Sequence, residues 1–115
     1  QGLLGDLDGA DVVLPPDLLA AAVTARLPLN HDVTLDRDAG FGLGFMTPLS
    51  SHFFGAGPSP RAFGHNGAAG QIAWADPETG LSFVYLTNGV DRNFLREARR
   101  ISGLASRAAL LTRPA

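Results

Sequence analysis

The chain has 115 residues, 45% hydrophobic and 17% charged, which gives enough apolar material for one compact core and excludes disorder by composition. Nine Arg stand against eleven Asp plus Glu, a formal charge of −2 with no basic excess to hold a nucleic-acid backbone. Cys and Lys are both absent, which excludes disulfides, thiolate metal sites and any mechanism that needs a lysine amine from these residues.

No apolar run approaches the ~20 residues of a membrane span. The opening Gln1-Gly2-Leu3-Leu4 carries neither an initiator Met nor a charged segment, so no signal peptide is read there. Gly2 to Gly9 is a short approach with a turn at Asp8-Gly9. Pro15-Pro16-Asp17 then opens an Ala/Leu-rich run that Pro28 stops. Proline suits the first helical turn, where its missing N–H costs nothing, and aspartate there complements the helix dipole. A helix is therefore predicted over 16–26.

Residues 29–40 are polar and read as a surface loop, including Asp36-Arg37-Asp38, which lacks the further carboxylates of a calcium loop. Gly40 to Met46 alternates small with bulky apolar residues, the period of a strand, and its glycines imply a backbone or ligand lying close. Residues 47–60 hold three Pro and three Ser and read as irregular. Two strands follow, Gln71–Ala75 and Leu81–Thr87, joined by the turn Asp76-Pro77-Glu78-Thr79-Gly80. Ile72 and Trp74 share one face of the first, and Leu81, Phe83 and Tyr85 one face of the second. These aromatics read as core rather than a carbohydrate platform. Both strands are apolar at most positions, which predicts a sheet covered on both faces.

Asp91 or Asn93 can cap a last helix running to about Leu111. Phe94, Ala98, Ile101, Leu104, Ala105, Ala108 and Leu111 form its apolar stripe, with Arg96, Arg99, Arg100 and Arg107 largely off it. The expected class is α+β, an antiparallel sheet segment with flanking helices.

Chemistry concentrates in Phe63-Gly64-His65-Asn66-Gly67-Ala68-Ala69-Gly70-Gln71, which sets His and Asn between glycines just before a strand. Main-chain N–H groups there can approach a ligand, and His65 can exchange a proton near neutral pH. The same residues also suit a tight turn whose histidine satisfies a carbonyl. Elsewhere signals are weak. None of the six Ser sits in a Gly-x-Ser-x-Gly elbow. His31, His52 and His65 lack zinc spacing, and Gly40-x-Gly42-x-Gly44 lacks dinucleotide spacing, so no metal or cofactor is expected.

The ordered set Asp8-Gly9, Leu14-Pro15-Pro16, Gly40-Phe41-Gly42-Leu43-Gly44-Phe45, Phe63-Gly64-His65-Asn66-Gly67 with Gly70, and Asp76 through Asn88 resembles the C-terminal part of the serine β-lactamase superfamily. Within it, the class C β-lactamase-like esterases and peptidases are most similar. The resemblance covers nearly the whole chain. It implies that 1–115 is the C-terminal part of a single β-lactamase/transpeptidase-like domain. It also implies that His65-Asn66-Gly67 stands where the family has Lys-Thr-Gly or His-x-Gly. By that analogy the Ala68 backbone N–H is an oxyanion-hole donor, His65 lines the site near the nucleophile, and Asn66 and Gly67 flank the acyl group.

The family's Ser-x-x-Lys is impossible without Lys, and Tyr85-Leu86-Thr87 cannot be its second motif, so the nucleophile is expected upstream of Gln1. The implied parent is a serine hydrolase acting on a small ester or amide. His65 in place of Lys and Asn66 in place of Thr favour an esterase or lipase over a β-lactamase or D-amino acid peptidase. A non-catalytic binding or scaffold member of the same fold is the alternative. Without the upstream portion, residues 81–88 would offer an unpaired edge through which the chain binds its missing half or a second copy. Arg-only basicity and abundant Ala suggest a GC-rich bacterial genome and leave the subcellular address open.

Overall fold

A computed structural model describes residues 14–24, 26, 30–34, 36–47, 54–68, 70–89 and 91–111. The Asp8-Gly9 turn, Ser50, Ser51 and His52 lie outside the described residues. The element order is α1 (Pro16–Val23), β1 (Asn30–Asp32), β2 (Arg37–Ala39), β3 (Phe63–Asn66), β4 (Ile72–Asp76), β5 (Leu81–Tyr85) and α2 (Phe94–Leu110). β3, β4 and β5 form an antiparallel sheet in that order, and β1 pairs with β2 in a separate hairpin. The architecture is α+β.

α1 is shorter than the predicted 16–26. Its end is set at Thr24, whose backbone turns extended and whose Oγ1 donates to the Ala20 carbonyl at 2.6 Å. The Ala22 carbonyl accepts instead from Leu43 N–H at 2.7 Å. A Cβ on Gly42 would collide with that carbonyl, so the close approach signalled by Gly42 is to the end of a helix. Residues 40–46 are accordingly not the predicted strand. They double back, with Gly42 N–H on the Phe45 carbonyl at 2.9 Å and isolated bridges Phe41–Met46 and Met46–Gly64. The polar loop at 29–40 also departs from expectation. It holds the β1–β2 hairpin, turned at Asp36 in the left-handed region (φ 51°) beneath an exposed His31–Asp36 contact at 3.4 Å.

The β4–β5 hairpin matches its turn composition. Asp76 pairs with Leu81, and Gly80 (φ 70°) closes the turn by donating its N–H to the Asp76 carbonyl at 2.9 Å. The Asp76 carboxylate is buried and accepts from Ser59 N–H at 2.8 Å, Ser59 Oγ at 2.6 Å and Glu78 N–H at 3.0 Å. A buried carboxylate persists when its lone pairs are met by donors in this way. Here it ties the 54–62 segment to the hairpin.

α2 begins at Asn93, whose side chain accepts from Arg96 N–H at 3.1 Å. Its buried row is Glu97, Ile101, Ala105 and Ala109, one residue every turn, so the stripe lies rotated from the one the apolar pattern predicts. Phe94 and Leu111 of the expected stripe are exposed. Small residues beside that row let other backbone approach: Ser106 Oγ accepts from Ala56 N–H at 2.9 Å and donates to the Ser102 carbonyl at 2.7 Å.

The core packs Met46, Phe54, Ile72 and Trp74 against Ile101, Ala105 and Ala109, with Leu81, Phe83 and Tyr85 partly buried at its margin. Trp74 and Phe83 are cross-strand partners with ring centroids 5.7 Å apart. This face of the hairpin is the better covered among the described residues; the opposite face is covered where Phe63, across from the half-buried Ala75, packs its ring 5.3 Å from that of Phe45. Elsewhere on that opposite face, Val84 is 60% exposed and Ala73 and Ser82 are exposed, contrary to the two covered faces that composition predicts.

Candidate active site

β3 carries the candidate residues because it is held on both edges. On one it pairs with β4, in the register Gly64–Trp74, His65–Ala73 and Asn66–Ile72. On the other, Gly64 N–H donates to the Met46 carbonyl at 3.1 Å and the Gly64 carbonyl accepts from Met46 N–H at 2.7 Å. Alternation along the strand then separates the two polar side chains. His65 stands on the open face with Ala73, and Asn66, half-buried, on the face that packs against α2.

The His65 ring is exposed and lies tilted against Phe41, centroids 6.4 Å apart. Its Nδ1 is 2.7 Å from the Asn66 carbonyl oxygen. A carbonyl only accepts, so Nδ1 donates, and in the neutral ring Nε2 keeps its lone pair. The histidine thus satisfies a neighbouring carbonyl, as the turn reading anticipates, while one ring nitrogen keeps acceptor capacity.

Beyond β3 the chain turns over residues 67–71. Gly67 N–H donates to the Gln71 carbonyl at 2.8 Å, and Gln71 Nε2 to the Thr87 carbonyl at 3.0 Å. Ala68 is exposed, and its N–H has no partner among the described residues.

The glycines divide by purpose. A methyl on Gly64 would lie 2.6 Å from Trp74 Cα and Cβ and closer still to the Ala73 carbonyl oxygen, so this glycine serves the sheet. A methyl on Gly67 would meet nothing nearer than Gln71 Cβ at 3.5 Å, an ordinary contact. The fold of these residues therefore does not demand a glycine at 67. Asn66, Gly67, Ala68 and Gly70 line a crevice of about 30 Å³ whose far wall is the start of α2, from Phe94 to Ile101. Sequence reasoning missed Glu97 at this wall. The available signal was a Glu in step with Ile101, Ala105 and Ala109.

A family model described as Beta-lactamase matches residues 6–106. The chain belongs to the beta-lactamase family. Among solved structures, it is similar to a beta-lactamase from Mycobacterium bovis, with 28% identity and a TM-score of 0.67 over 94% of this chain and 39% of that one. It is also similar to a novel penicillin-binding protein homolog from Caulobacter crescentus, with 31% identity and a TM-score of 0.67 over 90% of this chain and 30% of that one. EstA from Arthrobacter nitroguajacolicus Rue61a, 24% identical with a TM-score of 0.52 over 85% of this chain and 27% of that one, shares the fold. No curated protein matches the chain. The chain spans less than two fifths of each of these solved chains. Its fold is that of a beta-lactamase-family hydrolase, and no helix among the described residues is long and apolar enough to cross a membrane.

Proposed function

We propose that these residues form the oxyanion wall of a serine hydrolase, and that the whole protein is an esterase or lipase working through a serine acyl-enzyme. In this reading residues 1–115 are the C-terminal part of the domain, and the nucleophile stands in a Ser-x-x-Lys motif outside them. The observation that carries the reading is an Ala68 N–H unspent among the described residues, beside Gly67, a glycine that the local fold has room to replace. Attack of the serine oxygen on the acyl carbon places negative charge on the carbonyl oxygen. Ala68 N–H is one of the donors that meets it, and the bare Gly67 lets the acyl group lie along β3. Collapse expels the alcohol, and water then releases the acid and restores the serine. His65 Nε2 accepts a hydrogen bond at the edge of the site.

Where the family has Lys or His at the head of this motif, the chain has an exposed His65 followed by Asn66. That pair offers no fixed cation for a β-lactam carboxylate, which favours simple esters over lactams. The open face of the hairpin and the edge of β5 meet the remainder of the domain or, failing that, a second copy of the chain. Steady-state turnover by the full-length protein is expected to favour a short-chain p-nitrophenyl ester over a chromogenic cephalosporin by about 100-fold or more in kcat/KM. Comparable values for the two substrates would overturn the esterase assignment.

A further inference from the structure

α2 places a carboxylate in its buried row, where an apolar side chain avoids the cost of taking a charge out of water. Glu97 is 4% exposed, and its partner is Arg100, one turn on, whose Nη2 donates to Glu97 Oε1. Glu97 in turn raises the Arg100 guanidinium above its ordinary pKa, chiefly through that hydrogen bond. The guanidinium also lies 5.5 Å from the centroid of the Tyr85 ring at the end of β5.

The Glu97 carboxylate also rests on Gly70. That residue is buried, has a left-handed backbone (φ 79°), and lacks the methyl that would lie 2.7 Å from the Glu97 carboxyl carbon and nearer to Oε1. The carboxylate therefore fills the space of the missing side chain. The 67–71 turn is then fixed at three points: its own Gly67–Gln71 bond, the Gln71–Thr87 bond, and Gly70 against Glu97. Ala68 sits inside this frame.

We propose that Glu97, braced by Arg100, is a positioning residue that holds the 67–71 turn so that the Ala68 N–H faces the acyl oxygen. The inference rests on the oxyanion reading of Ala68. It assigns the buried carboxylate a task that neither packing nor α2 itself requires. A donor displaced by a fraction of an ångström costs more against the charge that develops in the transition state than against the uncharged bound ester.

The test uses the full-length protein with Glu97→Ala, Glu97→Gln and Arg100→Met, followed by ester turnover and by hydrogen exchange at the 67–71 amides. Glu97→Ala is expected to lower kcat by ~10- to 100-fold with KM changed less than about threefold, and to speed exchange across the turn. Glu97→Gln keeps the shape and an oxygen for Arg100 to donate to, and is expected to recover most of the lost kcat. Arg100→Met leaves the buried Glu97 carboxylate without its partner and is expected to lower both the thermal midpoint and kcat, the latter by about three- to tenfold. A fall in thermal midpoint with kcat within about twofold of wild type would overturn the proposal, as would equal losses in Gln and Ala variants. Wild-type protein that turns over no ester would overturn the esterase reading instead. Exchange at the turn would still decide whether Glu97 holds it.

Discussion

Gly64→Ala is expected to destabilise the protein by about 3 kcal/mol or more, the range of severe overpacking. The added methyl meets backbone rather than a movable side-chain end: the Ala73 carbonyl oxygen and Trp74 Cα at 2.6 Å. β3 has no direction in which to yield, because Gly64 is bonded through both N–H and carbonyl to Met46 on its other edge. Trp74 is itself in the core against α2, so displacement of β4 would disturb the largest side chain there. The measurement is the urea midpoint of the full-length protein, with Gly67→Ala as the comparison. That second substitution meets only Gln71 Cβ at 3.5 Å and is expected to shift stability by less than about 1 kcal/mol. Similar midpoints for the two variants would contradict the division of labour between these glycines.

Ala68→Pro removes the one hydrogen-bond donor that this reading assigns to the oxyanion. Ala68 is exposed, lies outside β3 and β4, and spends its N–H on no group among the described residues, so no bond among them is lost. The preceding Gly67 tolerates the backbone restriction that a following proline imposes. If the donor meets an oxyanion, its loss lowers kcat by ~10²- to 10³-fold while the thermal midpoint stays within a few degrees. A kcat within about threefold of wild type, in a folded variant, would contradict the role given to this N–H.

The parts of the fold legible in the sequence are those whose local chemistry and tertiary role agree. Asp76-Pro77 and Gly80 specify the hairpin turn, and Asn93 specifies the start of α2, because turn and cap residues act within a few positions of themselves. The alternation at Gly40–Met46 misleads for a physical reason. Small residues there admit the end of α1 rather than a neighbouring strand. β1 and β2 escape detection because three-residue strands, Asn-His-Asp and Arg-Asp-Ala, are too short and too polar to carry apolar alternation. Val84 is as apolar as a covered residue, and composition alone cannot place it on the open face.

The candidate site was legible as an ordered motif around His65-Asn66-Gly67-Ala68. Which glycine serves the sheet and which leaves room was not, since that depends on what Trp74 and Gln71 place opposite them. Glu97 was hidden by its own charge. Periodicity assigns carboxylates to the solvent side, and only the four-residue spacing to Ile101, Ala105 and Ala109 marks it as buried.

The most direct measurement is peptide mapping of the full-length protein after reaction with a serine-directed fluorophosphonate. One stoichiometric adduct is expected, on the serine of a Ser-x-x-Lys motif outside residues 1–115. An adduct on any of the six serines within them, or no adduct at all, would contradict a wall that supplies the oxyanion donor to a nucleophile carried elsewhere in the protein.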